Sequence, residues 1–117
     1  MQFPCKYTLP HAGYQFLKYV RSQNVFHTGI DFNFGVGNAD LGNPVVTPFK
    51  SRIVFVSVAP TNGNLFNHGH GWTVVLYHPE LNIYSRYLHL NKVLNLPLEK
   101  DMSEGTQFAE VGKTGTQ

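Results

Sequence analysis

The sequence predicts a mostly β domain, an antiparallel β-sheet or sandwich, with one short N-terminal helix. Short stretches rich in β-branched and aromatic residues recur from residue 44 onward. Glycine, asparagine and proline separate them, as expected of strands joined by tight turns. The chain has 117 residues, of which 42% are hydrophobic and 14% charged, so it can bury one core but not two. These observations indicate a single domain over residues 1–117.

The first predicted element is a helix over residues 11–23, "HAGYQFLKYVRSQ". Tyr14, Leu17 and Val20 recur there at intervals of three, which is the spacing of one helical face.

Five strands are predicted after this helix. The third and fourth flank the turn residues 79–82 and are expected to form a hairpin. In that hairpin His78 would pair near Ile83 and Trp72 near His89. Glycine-rich and asparagine-rich segments near residues 35–42 and 62–64 predict two loops. The strand ranges are 44–49, 52–59, 71–78, 82–90 and 106–112.

Charge and cysteine content exclude several classes of function. Nine Lys and Arg residues and seven Asp and Glu residues leave a formal charge of +2, and the basic residues do not cluster. A nucleic-acid partner therefore has little electrostatic support. Cys5 is the one cysteine, so neither an internal disulfide nor a thiol-rich metal site is possible. With no signal-peptide pattern and no apolar run near the roughly 18 residues of a membrane span, we expect a protein made soluble in the cytoplasm.

A histidine and an aspartate stand four residues apart in the apolar stretch "VFHTGIDFNF". On a straight strand, His27 and Asp31 would share a face but lie roughly 13 Å apart. Two ligands of one metal must come within about 3 to 4 Å of each other, given bonds near 2.1 Å. The two side chains can therefore meet only if the backbone bends, and Gly29 would permit the bend. On spacing alone, an ordinary strand with two polar residues remains the alternative.

Five ordered segments over residues 25–117 resemble the lysostaphin-like zinc metalloendopeptidases, which cut peptide bonds in bacterial cell walls. The first segment, "HTGIDF", is similar to the His-x-Gly-x-Asp-Phe signature of that family. "GHGWTVVLYH" and "IYSRYLHL" resemble its Gly-Tyr-Gly-Asn-x-Val-x-Ile-x-His strand and its Tyr-x-His-Leu segment. The other two similar segments are "LGNPVVTPFKSRIVFV" and "EGTQFAEVGKTGTQ".

The resemblance implies a zinc site and a catalytic histidine. It makes His27 and Asp31 two zinc ligands, and His89 the histidine that acts beside the metal on the substrate. Imidazole and carboxylate suit Zn²⁺, and an open coordination position would hold a water whose pKa falls toward about 7. A histidine next to that water can act as general base or stabilise the oxyanion.

The sequence also departs from the family pattern. In the family, a strand with His-x-His soon follows the Thr-Gly segment and provides the third zinc ligand and a further catalytic histidine, whereas this sequence stops at Gln117. We therefore expect a domain cut short before its final strand, with weak zinc binding. We also expect an open sheet edge that pairs with a second copy or a partner segment. His70 is expected to line the substrate cleft, with a role as ligand as the alternative, and His78 is too far along its strand to bind the metal.

The predicted function is that of a zinc-dependent endopeptidase that hydrolyses peptide bonds of bacterial peptidoglycan. Release by lysis or with a virion would bring the enzyme to the cell wall, which favours a bacteriophage source. The alternative is a catalytically inactive, truncated peptidase-like domain that acts as a cell-wall binding or structural module.

Overall fold

A computed structural model describes residues 4–5, 19–20, 25–26, 39–57 and 70–115, and of residues 19–20 and 25–26 it describes the backbone. The chain divides into two compact units, residues 6–40 and residues 1–5 with 41–117. Nine short strands occur in the described residues: β1 (Tyr19–Val20), β2 (Val25–Phe26), β3 (Pro44–Val46), β4 (Ser51–Val56), β5 (Trp72–His78), β6 (Ile83–Leu90), β7 (Lys92–Val93), β8 (Asp101–Met102) and β9 (Gln107–Glu110).

The smaller unit contains an antiparallel pair where the sequence predicts the end of a helix. Tyr19 pairs with Phe26 and Val20 with Val25, so β1 and β2 form a two-residue ladder. The prediction of a helix over residues 11–23 is therefore wrong at Tyr19 and Val20, whereas the rest of that range lies outside the described residues. Aromatic and β-branched residues favour extended backbone, and here pairing between strands outweighs a helical pattern of only three apolar residues.

The larger unit contains a four-stranded antiparallel sheet in the order β6-β5-β4-β8. The hairpin of β5 and β6 has the predicted turn at residues 79–82, and His78 pairs with Ile83 as expected. At the other end of the hairpin, Trp72 pairs with Leu90, one residue beyond the predicted His89. Within the described residues, β6 pairs with β5 alone and forms an edge of the sheet.

A second, three-stranded antiparallel sheet in the order β3-β9-β7 belongs to the same unit. The sequence predicts β3 and β9 but not the two-residue strands β7 and β8. No helix occurs in the part of the chain that the structure describes, and none of its elements could cross a membrane as a helix. The mostly β, antiparallel fold class is thus confirmed.

The apolar core draws side chains from both sheets of the larger unit. Phe108 on β9 is fully buried, and its ring meets that of Tyr87 on β6 edge to face, with centroids 5.0 Å apart. Such pairs contribute about 0.5–1.5 kcal/mol beyond the burial of their area. The pair therefore ties the end of β6 to the second sheet. The buried hydrophobic residues are Val45, Ile53, Val74, Leu76, Leu90, Phe108 and Ala109.

One histidine is part of this core. His78, at the end of β5, is 1% exposed, with Nδ1 2.9 Å from Ser51 Oγ and Nε2 2.7 Å from Ser85 Oγ. Ser51 donates its one hydroxyl proton to the carbonyl of Phe49 at 2.6 Å, so His78 Nδ1 donates to Ser51. The Ser85 hydroxyl lies a further 2.8 Å from Tyr87 Oη, so the chain of polar contacts continues from Nε2 to Tyr87. Burial lowers the pKa of His78 because it disfavours the charged ring.

Candidate active site

The candidate active site lies at the open end of the β5–β6 hairpin, opposite the turn at residues 79–82. Three segments meet there: residues 70–72 before and at the start of β5, His89 near the end of β6, and Thr114 close to the C-terminal end of the described chain. About twenty residues separate each segment from the next in the sequence, so only the folded sheet brings them together.

A β-bulge in β6 sets the direction of His89. Val74 pairs with Tyr87 and Trp72 pairs with Leu90, so two steps along β5 correspond to three steps along β6. His89 has a φ of 59°, the left-handed region that residues with a side chain seldom adopt. In an unbroken ladder, His89 would lie opposite Trp72 and share the core-facing side with Tyr87.

The extra residue changes which side chain enters the core. Leu90 now takes the position opposite Trp72 and is only 4% exposed, whereas His89 remains partly exposed. The bulge therefore places a leucine in the apolar core and keeps the imidazole out of it. Bulges commonly re-aim side chains in this way beside active sites.

A single hydrogen bond selects the tautomer of the His89 ring. Its Nδ1 lies 2.8 Å from the backbone carbonyl oxygen of Thr114. Because a carbonyl oxygen can only accept, Nδ1 must carry the proton. In the neutral ring Nε2 then holds a lone pair, and it has no hydrogen-bond partner among the described residues. The ring is thus prepared to accept a proton at Nε2.

Thr114 makes three further hydrogen bonds with the same end of the hairpin. Its hydroxyl accepts from the backbone N–H of Trp72 at 2.9 Å and donates to the carbonyl of Leu90 at 2.6 Å. Its own N–H donates to the carbonyl of His89 at 3.3 Å. Together with the bond from Nδ1, these contacts attach Thr114 to both strands of the hairpin.

Two glycines, one on each side of the contact, allow residues 112–114 to approach the hairpin closely. A Cβ on Gly71, whose φ is +67°, would overlap the carbonyl and the hydroxyl of Thr114. A Cβ on Gly112 would overlap the backbone of Leu90 and Asn91. Any larger residue at either position would push the two segments apart, so the close approach depends on both glycines.

The structure describes two of the predicted site residues and not the other two. The carbonyl of His70 accepts from the N–H of His89 at 2.8 Å, so these two predicted residues are neighbours. His27 and Asp31, with the bend expected at Gly29, lie outside the described residues. Within residues 39–57 and 70–115, no group of three or more His, Cys, Asp or Glu side chains could hold a metal ion.

Sequence reasoning missed Thr114 and the bulge. The segment "VGKTGTQ" belongs to one of the five similar stretches, but the resemblance assigned no role to its threonine. The only available signal was a Thr-Gly pair just after the last predicted strand, where a hydroxyl commonly bonds to backbone groups.

Comparison with known proteins agrees with the pattern of motifs. The model of one protein family, described as "Peptidase family M23", matches residues 25–117. Neither a curated protein nor a solved structure matches the chain.

Proposed function

Since the chain belongs to peptidase family M23, we propose that it is a zinc-dependent endopeptidase that hydrolyses peptide bonds of bacterial peptidoglycan. The observation that carries the proposal is the His89 imidazole, whose Nδ1 donates to a backbone carbonyl and whose Nε2 has no partner among the described residues. A general base needs such a fixed ring with one available nitrogen.

The donor types of the predicted ligands fit zinc. His27 and Asp31 offer an imidazole nitrogen and a carboxylate oxygen, both of which are common in catalytic zinc sites. We assign proton transfer to His89 because the family resemblance places the histidine of this segment beside the metal, and the bulge and the carbonyl of Thr114 hold its ring. When bound, zinc would polarise the scissile carbonyl and acidify a water molecule.

His89 would move protons between the attacking water and the leaving amine. Its neutral Nε2 accepts a proton from the water, and the ring becomes an imidazolium ion. The carbonyl dipole of Thr114, 2.8 Å from Nδ1, stabilises this positive charge. The same Nε2–H then donates to the amine that leaves when the peptide bond breaks. His70, whose carbonyl contacts the N–H of His89, is proposed to line the cleft for the substrate peptide.

The test combines zinc binding with peptide hydrolysis. The 117-residue chain, and the same chain followed by a His-x-His segment, are incubated with zinc and purified peptidoglycan, and new amino groups are counted. The second form is included because the resemblance implies a third ligand there. Competition with a chromophoric chelator measures zinc affinity separately. Arg86→Ala, an exposed change on β6, is the matched control.

The variants should separate ligation from proton transfer. We expect His27→Ala and Asp31→Asn to lower both zinc affinity and hydrolysis. His89→Ala should leave zinc affinity unchanged and lower the rate about 10²–10⁴-fold, the contribution of a general base. Binding of peptidoglycan by both forms without any hydrolysis would contradict the proposal and favour the inactive, peptidase-like binding module. Hydrolysis that survives His27→Ala would refute the assignment of the chemistry to this site.

A further inference from the structure

We propose that Thr114 is a positioning residue: it holds His89 as the Nδ1–H tautomer and thereby presents Nε2 to the substrate. This inference rests on the proposed function for its catalytic consequence, but the state of the ring can be measured without any turnover.

The first support is the direct contact with the ring. The carbonyl of Thr114 is the acceptor for His89 Nδ1, and the N–H of Thr114 bonds to the carbonyl of the same histidine. Ring and backbone of His89 are thus bound by one residue that lies 25 positions further along the chain. Without that carbonyl, the described residues offer the His89 ring no other hydrogen-bond acceptor that would favour one of its two tautomers.

The second support is the role of the threonine side chain. A hydroxyl has one proton to donate and can accept as well, and Thr114 uses both capacities, toward Leu90 and from Trp72. These two bonds fix the residue that carries the acceptor carbonyl. Serine could make both of them, whereas valine has the same shape as threonine but could make neither.

The third support is that the surrounding chain is adapted to this contact. Gly71 lacks the Cβ that would overlap Thr114, and Gly112 lacks the Cβ that would overlap the end of β6. The bulge turns His89 out of the core on the side where Thr114 binds it. Two glycines, the bulge and the hydroxyl of Thr114 therefore all favour the contact between Thr114 and His89. A segment that only packed against the hairpin would not need this combination.

Nuclear magnetic resonance of the 117-residue chain provides the first test. Long-range proton–nitrogen correlation spectra at pH 8, where an ordinary imidazole is neutral, show which ring nitrogen carries the proton. His89→Gln identifies the His89 signals. We expect the proton on Nδ1 in the wild type and in Thr114→Ser, and a mixture of tautomers in Thr114→Val. A wild-type ring protonated on Nε2 would overturn the inference, whether or not Thr114→Val folds.

Hydrolysis kinetics, measured on whichever of the two forms of the chain cleaves peptidoglycan, provide the second test. We expect Thr114→Val to lower kcat about 10- to 100-fold, with KM little changed, because a misplaced base affects the chemical step. Thr114→Ser should retain activity within about threefold, since it keeps both hydroxyl bonds. Equal activity of the valine and serine variants would overturn the inference. An inactive wild type with Nδ1 protonated would instead refute the proposed function and confirm how the ring is held.

Discussion

Replacing Gly71 with alanine should break the contact between residues 70–72 and Thr114. Gly71 has a φ of +67°, and an added Cβ would overlap backbone as well as the hydroxyl of Thr114. Backbone cannot turn aside as the end of a flexible side chain can, so Thr114 would have to withdraw from the hairpin. Its bonds to Trp72, His89 and Leu90 would weaken or break with it.

Two contributions set the size of the effect. The left-handed conformation costs a residue with a Cβ about 1–2 kcal/mol. Each hydrogen bond lost by Thr114 adds about 0.5–1.5 kcal/mol. If two of its four bonds are lost, Gly71→Ala should lower the free energy of unfolding by about 2–5 kcal/mol in total.

Gly42 provides a matched control. It also has a positive φ, +88°, but an added Cβ would meet nothing within 4 Å. Gly42→Ala should therefore show the conformational cost alone, about 1–2 kcal/mol. Urea unfolding of the two variants and the wild type, followed by circular dichroism, measures the difference. Equal destabilisation by both substitutions would refute the reasoning that the space at Gly71 is kept for Thr114.

Three further predictions concern the rest of the larger unit. Burial lowers the pKa of His78, so its contribution to stability should be complete above the unfolded value of about 6.5 and be lost as the pH falls below it. Unfolding free energies between pH 8 and 5 should then decline less in His78→Gln than in the wild type, and an unchanged slope would contradict this. Thermal melts should show that Phe108→Ala lowers stability by about 3–5 kcal/mol, because it empties the fully buried site beneath Tyr87. Phe108→Leu should lower stability less in the same measurement. A second copy should pair along β6, an edge strand in the described residues on which Tyr84 is 66% exposed. Light scattering over a dilution series should show association that Tyr84→Lys weakens, and a monomer at every concentration would contradict the pairing.

Local patterns in the sequence predicted the elements that local chemistry determines. The strands of the β5–β6 hairpin, its turn and the pairing of His78 with Ile83 follow from β-branched residues on either side of a proline-containing turn. The two-residue strands β7 and β8 leave no such pattern, because each exists only through pairing with a distant strand. Tyr19 and Val20 show the same limit, because their pairing with Phe26 and Val25 outweighs the helical spacing of the apolar residues.

The sequence suggested His89 and His70 as candidate site residues, but neither their arrangement nor the part played by Thr114 could be predicted from it. Residue types and order identified His89, because the similar family segment carries a histidine at that position. The bulge that turns His89 out of the core inserts one residue into the ladder, and nothing in "YSRYLHL" marks where the alternation breaks. Thr114 acts largely through its backbone carbonyl, a group that every residue has, so composition could not reveal it.

The hydrogen bonds between Thr114 and the hairpin also determine the fraction of molecules in which the candidate active site is assembled at any moment. Residues 112–115 form no strand, so we expect their contacts with the hairpin to open more readily than the sheets do. If closure were favoured by only about 1.4 kcal/mol, one molecule in about ten would be open at any moment. The amide proton of Trp72, which bonds to the hydroxyl of Thr114, should exchange with solvent from the open form, with reclosing faster than exchange. Its exchange rate, compared with those of amides at the centre of β5, would measure this local equilibrium.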